Sequence, residues 1–193
     1  MRTLLKNIAF GLATVVVAPA LASFAIRSWL LGPDRALEGS TQALSLVPGL
    51  AGQYLRRAFL CRVLAECHPT ATVEFGTVFS CTGARLEADV YVGPRCHLGL
   101  AHVKRGTLLA AAVHVPSGAR IHPVDETGTP LRDRPLERRL VTIGEDAWIG
   151  TAAIVMADVG DHTIVGAGAV VTAPLPPHVV AAGVPARVVK TRS

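Results

Sequence analysis

From Val141 to Thr172 the chain reads VTIGEDAWIGTAAIVMADVGDHTIVGAGAVVT. Large aliphatic residues stand at Ile143, Ile149 and Val155, then at Val159, Val165 and Val171, six positions apart within each run. An amphipathic helix repeats its apolar residues at three and four, and a half-buried strand at two. A spacing of six predicts three short strands per coil, each closed by a tight turn. One aliphatic side chain per side then points to the axis of a three-sided prism. Coils stack in parallel, so each strand pairs with the strands above and below it. Small residues after the anchors, such as Gly144, Gly150 and Gly166, are expected to let the backbone turn at the corners.

The same period extends toward the N-terminus. It runs through Val73 and Phe79, through Leu86, Val92 and Leu98, and through Val103, Leu109, Val115 and Ile121, with Gly93 and Gly99 after two anchors. Two breaks interrupt it. The step of four from Val155 to Val159 reads as a shortened turn or a missing corner. Between Ile121 and Ile143, residues 122–140 contain Pro123, Pro130 and Pro135, many charges and no period. They are expected to leave the prism as an extruded loop at about 122–140, and long loops on rigid scaffolds often carry function. Composition agrees: half the residues are hydrophobic but only 5% are aromatic, which suits many thin aliphatic layers.

Ahead of the prism, assigned to residues 70–193, the sequence suggests a hydrophobic segment over 1–34 and a helical linker region over 35–69. Ile8 to Ile26 is almost wholly apolar, with Arg2 and Lys6 before it and Arg27 after it, and apolar character resumes at Trp29, Leu30 and Leu31. Several readings stay open. The run is about long enough to cross a bilayer. It is also compatible with a hairpin lying in one leaflet, with a signal peptide cut near Ala18–Ala22, or with a helix buried in an oligomer. Membrane attachment at the cytoplasmic face is the favoured reading, and secretion the less favoured. Pro19 is expected to kink a helix here. Residues 35–65 read as helical with a break at Pro48-Gly49. Arg56, Arg57 and Arg62 there suit either packing on the prism or lipid phosphates.

The formal net charge of +5 fits either a mildly basic surface or a face meeting anionic phosphates or membrane. No basic run is interleaved with aromatics, so nucleic acid is not an expected partner. Cys61, Cys67, Cys81 and Cys96 form no CxxC pair and match no common zinc spacing, which points to buried thiols in a reducing compartment.

The Val141–Thr172 stretch, the closing AAGVPARVVK and the period of six resemble the hexapeptide-repeat acyltransferases over roughly residues 70–190. The likeness is greatest to the galactoside and maltose O-acetyltransferases and the O-acetyltransferases of bacterial surface polysaccharides. It implies a left-handed parallel β-helix, an exception to the usual right-handed crossover. It also implies a homotrimer with sites between subunits, and acetyl-coenzyme A lying along the rod.

Acetyl transfer to a hydroxyl needs a base, and a positioned imidazole supplies on the order of 10²- to 10⁴-fold. His122 is the candidate. It opens the loop in an HP segment twenty-six residues before Trp148, as in the similar enzymes, and Pro123 restricts its backbone. The resemblance places Trp148 in the acceptor cleft. It places Gly150 and Thr151 near the reacting carbonyl, where Thr151 donates to the oxyanion. Ala167, Gly168 and Thr172 are placed along the pantetheine arm, and Arg187 and Lys190 near the coenzyme phosphates. Many relatives carry Lys where this chain has Ala173.

Of the other histidines, His68 and His178 neighbour prolines and suggest turns outside the main coils. His162 is expected at the shortened corner, and His114 suggests a structural role beside an anchor. His97 and His102, five apart, resemble a metal-binding pair of carbonic-anhydrase-like rods, but a third ligand is lacking and no metal is expected. The expected activity is O-acetylation of a sugar hydroxyl, on a surface polysaccharide or a lipid-linked glycan precursor. Alternatives are N-acetylation of an amino sugar, a metal-dependent hydratase, and a non-catalytic rod that binds a partner.

Overall fold

The computed structural model describes residues 2–119 (2–7 by backbone alone), 130, 133 and 137–192. Four helices precede a parallel β-solenoid of about six coils. The first coil holds β1 (Glu66–Cys67), β2 (Thr72–Val73) and β3 (Val78–Phe79). The second holds β4 (Arg85–Leu86), β5 (Tyr91–Val92) and β6 (His97–Leu98). The third holds β7 (Ala101–Val103), β8 (Leu108–Leu109) and β9 (His114–Val115), and the fourth β10 (Val141–Ile143), β11 (Trp148–Ile149) and β12 (Ile154–Val155). In the fifth, an isolated bridge at Val159 stands in for a strand, followed by β13 (Ile164–Val165) and β14 (Val170–Val171). In the sixth, Leu175 makes the bridge and β15 (Val179–Ala182) follows, before β16 (Arg187–Thr191).

The three faces of the prism are the three sheets. Their orders are β1-β4-β7-β10, then β2-β5-β8-β11-β13-β15-β16, then β3-β6-β9-β12-β14. Every pair is parallel except β15 with β16. The register aligns the anchors. On the second face Val73, Val92, Leu109, Ile149, Val165 and Ala181 are paired in succession. Each is no more than 1% exposed. Full burial of one such aliphatic side chain stabilises by about 1.5–3 kcal/mol before entropy is counted. A coil has no core of its own, so this gain exists only in the stack.

Within a coil the anchors are six apart, as the sequence predicts. Between coils the step varies: seven from Phe79 to Leu86, five from Leu98 to Val103, and four from Val155 to Val159 and from Val171 to Leu175. The slip at Val155–Val159 is therefore the ordinary third-to-first corner in a short form, and no corner is missing. The corner glycines also act differently from expectation. Positive φ falls three residues after an anchor at the other two kinds of corner, mostly on non-glycine residues such as Asp89, Arg95, Asp146, Ala152 and His162. Gly144 and Gly150 are small for another reason. A Cβ on them would lie 2.4 Å from Asp161 N and 2.5 Å from Ala167 N, in the backbone of the following coil.

The chain leaves the stack after Val115 and rejoins it at Val141, so the excursion begins before the expected limit of 122. Val141–Ile143 pairs directly with Ala101–Val103, which takes the place expected for an Ile121 anchor. Residues 120–129, Ile121 and His122 among them, lie outside the described residues.

The helices are α1 (Arg2–Val16), α2 (Ala18–Leu31), α3 (Pro33–Ser45) and α4 (Gly49–Val63). Pro19 lies in the first turn of α2, where its missing N–H costs nothing. The apolar run is thus two helices meeting at 48°, and no single described helix is long and apolar enough to cross a membrane. α3 packs on β3, and α4 on β1 and β2. Together they close the open end of the first coil. Thr41 Oγ1 lies 3.2 Å from both the N and the O of Phe79, and Gly76 N donates to Ser45 O at 2.9 Å.

Arg56 belongs to the same closure. It is 3% exposed and donates to the carbonyls of Val73 (2.9 Å), Val47 (2.7 Å) and Leu44 (3.2 Å). Arg57 lies against the rings of Tyr54 (4.6 Å) and Phe10 (5.3 Å), and Arg62 donates to Ala58 O and Thr14 Oγ1. The three arginines read as possible lipid-phosphate ligands are therefore engaged within the molecule. All four cysteines are free and at least half-buried.

Candidate functional site

A coil of sixteen residues sets Ala167 and Gly168 beside Thr151 and Ala152 at the corner between the second and third faces. Gly168 N donates to Thr151 O at 2.8 Å. Gly150 is buried, and its bare Cα lets the backbone at Ala167 approach. Thr151, Ala167 and Gly168 are exposed. Nothing lies within 4 Å of where a Gly168 Cβ would project. The result is a smooth edge of small residues with one hydroxyl on it. Trp148 begins the same strand as Ile149. It points outward from the second face, 51% exposed, in a ladder with Tyr91 and Leu108.

Five of the sequence-predicted positions, Trp148, Gly150, Thr151, Ala167 and Gly168, thus form one contiguous strip. Thr172 does not join them. It is exposed at the third-to-first corner, one face further round. There it lines a cleft of about 430 Å³ with Gly118, Ala119, Arg138, Arg139 and Met156. Arg187 and Lys190 lie exposed on β16, opposite Ala182 and Val180 of β15. Ala186 N, just before Arg187, donates to Val170 O on the third face at 2.8 Å.

The cleft sits at the base of the loop. Arg139 N donates to Ser117 O at 2.8 Å, closing the loop's neck. Arg139 pairs with Asp158 at 3.1 Å, and Arg138 pairs with Asp34 in the first turn of α3. Asp34 also accepts from the Thr82 backbone N–H (2.9 Å) and hydroxyl (2.8 Å). Burial works to raise the Asp34 carboxyl, but the Thr82 donors and the Arg138 guanidinium outweigh it and hold it below the usual carboxylate range. Sequence reading passed over this pair of arginines. The signal was there in Arg138-Arg139, set just ahead of the repeat's resumption at Val141.

His114 stands beside an anchor as expected, while His68, His178 and His162 take other places. His68 follows β1 within the first coil, and its Nδ1 lies 2.9 Å from Thr70 Oγ1. His178 sits at a first-to-second corner inside the stack, with its ring 4.8 Å from that of His162. His162 occupies the same kind of corner one coil earlier, past the shortened one, with Nδ1 3.3 Å from Asp146 Oδ2. His114 is exposed on the third face, edge-on to His97 at 6.1 Å. Burial, then the neighbouring His114, lowers the pKa of His97. His102 lies on the first face, bonded to Glu87 at 2.7 Å. The His97–His102 spacing therefore makes no ligand pair. Among the described residues no cluster of three or more His, Cys, Asp or Glu is placed to hold a metal.

No family model matches the chain. A segment of 52 residues, 26% of this chain, is 48% identical to galactoside O-acetyltransferase of Escherichia coli. The matched segments span about a quarter of the length of the curated relatives. Among solved structures, a maltose O-acetyltransferase from Clostridium difficile superposes with a TM-score of 0.67 at 23% identity, covering 83% of this chain and 88% of that one. A galactoside acetyltransferase in complex with coenzyme A superposes with a TM-score of 0.60 at 23% identity, covering 83% and 81%.

Proposed function

We propose that this chain is a hexapeptide-repeat acyltransferase and, within that family, an acetyl-coenzyme A-dependent O-acetyltransferase acting on a sugar hydroxyl. The observation that carries the reading is the 52-residue match, at 48% identity, to a galactoside O-acetyltransferase. The exposed strip of Thr151, Ala167 and Gly168 supports it, because a thin pantetheine arm needs an edge without bulky side chains.

In this proposal His122 takes the proton of the acceptor hydroxyl as its oxygen bonds to the thioester carbonyl. Thr151 donates to the oxyanion of the tetrahedral intermediate. The C–S bond then breaks, and the coenzyme leaves as a thiol with the proton. Trp148 packs against the acceptor, and Arg187 and Lys190 meet the coenzyme's phosphates as point charges. Thr172 is better matched to the arginine-lined cleft than to the pantetheine strip. The outward apolar ladder of Tyr91, Leu108 and Trp148 supports a second copy on that face, and a homotrimer would place the strip of one copy beside the loop of the next. We further propose work at the cytoplasmic face of a membrane, on a surface polysaccharide or a lipid-linked glycan precursor.

The test is a panel of sugar acceptors with acetyl-coenzyme A, read by release of free thiol. The His122→Ala variant should lose about 10²- to 10⁴-fold in turnover while keeping the wild-type circular dichroism. Full turnover in a folded His122→Ala variant would remove the base. Absence of coenzyme binding would remove the activity.

A further inference from the structure

The layer formed by α1 and α2 is apolar on both of its sides. Its inner side packs on the helices that close the prism. Ala13 and Val17 are buried, and Phe24 meets Phe59 edge-on at 5.8 Å. Two polar contacts tie it down: Arg62 donates to Thr14 Oγ1 at 3.1 Å, and Arg27 donates to Ser40 Oγ at 2.7 Å. Its outer side carries Ile8, Leu12 and Val16 on α1 and Ile26, Trp29 and Leu30 on α2, at helical spacing. Each is more than half exposed, and Trp29 is 85% exposed. An outer helix of a soluble domain turns a polar face to water. Contiguous apolar surface of this kind marks a protein or membrane contact.

Charge decides between the two. Residues 1–33, which include both outer helices, hold Arg2, Lys6 and Arg27 and no Asp or Glu. The outer layer is therefore purely cationic, even leaving aside Arg56, Arg57 and Arg62, which are engaged within the molecule. The first acidic residue is Asp34, beyond both outer helices. A second copy on this face would bring two cationic excesses together. An anionic lipid surface complements the excess and accepts the apolar side chains.

We propose that α1 and α2 lie in one leaflet of an anionic bilayer, along its surface, and do not cross it. This refines the membrane placement above and is independent of the chemistry. The helices have 15 and 14 residues. At 1.5 Å per residue each spans about 22 Å, short of the roughly 30 Å hydrocarbon core. Joined end to end they are bent by 48°. A crossing would also surround both with lipid, stripping the inner side of its packing and of the Arg62–Thr14 and Arg27–Ser40 contacts. In the surface position only the outer side meets acyl chains, and Trp29 sits at the headgroup level that aromatic rings favour.

The experiment uses the full chain with a protease-removable tag at each end, diluted from detergent onto sealed phosphatidylcholine vesicles containing about one quarter phosphatidylglycerol. The protein should float with these vesicles and float less with phosphatidylcholine alone. Externally added protease should remove both tags. The variant Leu12→Gln/Val16→Gln/Ile26→Gln alters only outer-side positions. It should keep the helical and β signals in circular dichroism and lose about tenfold or more in vesicle partitioning. Protection of the N-terminal tag would show a crossing and overturn the proposal. So would unchanged partitioning of the variant, or failure of folded wild type to float. Self-association that buries this face instead, seen by sedimentation and abolished in the variant, would overturn it in favour of a second copy. Acetyl-transfer assays on the same preparations report separately on the chemistry.

Discussion

Arg56→Ala should remove the closure of the prism's first coil. With no earlier coil to pair with, the outward carbonyl of Val73 has Arg56 Nε as its donor, at 2.9 Å. Nη1 serves Leu44 O in the last turn of α3 and Val47 O just beyond it. Leu44 O also accepts from Val47 N at 3.3 Å, so it keeps a partner when the guanidinium is lost. The buried carbonyl of Val73 and the partly buried one of Val47 are then left without this donor. An orphaned buried acceptor costs about 1–3 kcal/mol, in full at Val73 and less at Val47, where water can take the donor's place. The side chain is 3% exposed, so its removal also leaves a void unless α4 settles onto β2. Burying the guanidinium itself costs free energy and offsets part of this, so we expect a net loss of about 2–4 kcal/mol from the orphaned carbonyl and the void together.

The assay is urea unfolding in mild detergent followed by circular dichroism, with thermal unfolding alongside. At about 2–4 °C per kcal/mol for a chain of this size, the midpoint should fall by at least 4 °C or so. Arg56→Met, which keeps most of the volume and none of the donors, separates the two contributions. It should retain well over half of the loss. Stability of Arg56→Ala within about 1 kcal/mol of wild type would refute the reasoning, because surface substitutions typically stay within half that. Loss in Arg56→Ala with full stability in Arg56→Met would assign the effect to packing and not to the carbonyls.

Two further outcomes follow from the same geometry. Ile149→Asp places a carboxylate between Leu109 and Val165 in a fully buried stack, and it should leave no cooperative unfolding transition, whereas Ile149→Val should cost only about 0.5–1.5 kcal/mol. Asp34→Asn should remove a pH dependence. The folded carboxyl is held below its unfolded value of about 3.9, so its contribution is present above that value and is lost as pH falls through the lower folded one. Wild type should therefore exceed the variant in stability at neutral pH by a margin that shrinks on acidification, and a margin independent of pH would contradict the pairing with Thr82 and Arg138.

The interior of the prism was legible because its axis admits one large aliphatic side chain per side, and six residues make one side and one corner. The third-to-first corner was not legible as a class. Apart from Gly118, where the chain leaves the stack after Val115, it carries no left-handed residue three places past its anchor, so its length is free to be seven, five or four. The other corners hid their signal as well, since Asp, Arg, Ala and His fill most of the left-handed positions where a reader looks for glycine. At the candidate site, the stacking of Thr151 on Ala167 and Gly168 follows from a sixteen-residue coil, and the motif resemblance found it. Thr172 was grouped with them by motif, but the count carries it past one more corner. Arg56 stayed open between packing on the prism and lipid phosphates because a helix pattern shows the polar residue and not the open strand edge opposite it. The location of His122 came from motif spacing alone, and the prism's period says nothing of a segment that leaves it.

A stack of coils has a problem at each end, because its outermost strands expose unpaired backbone that invites another chain. The two ends of this prism are closed differently. At the far end the chain doubles back, and β16 runs antiparallel to β15. At the near end helices take the place of a coil, and beyond the backbone bond from Gly76 N to Ser45 O the open edge is met by side chains, which explains why a buried arginine and a buried threonine appear there. That choice links the near end to the loop. Asp34, in the first turn of α3, holds the corner at Thr82 with one oxygen and Arg138 at the base of the loop with the other. The helix that Asp34 opens packs against α2, which we place in lipid. The outer helices are therefore linked to Arg138, beside the neck closed by Arg139 and Ser117, by contacts that pass through one carboxylate and not through the interior of the prism.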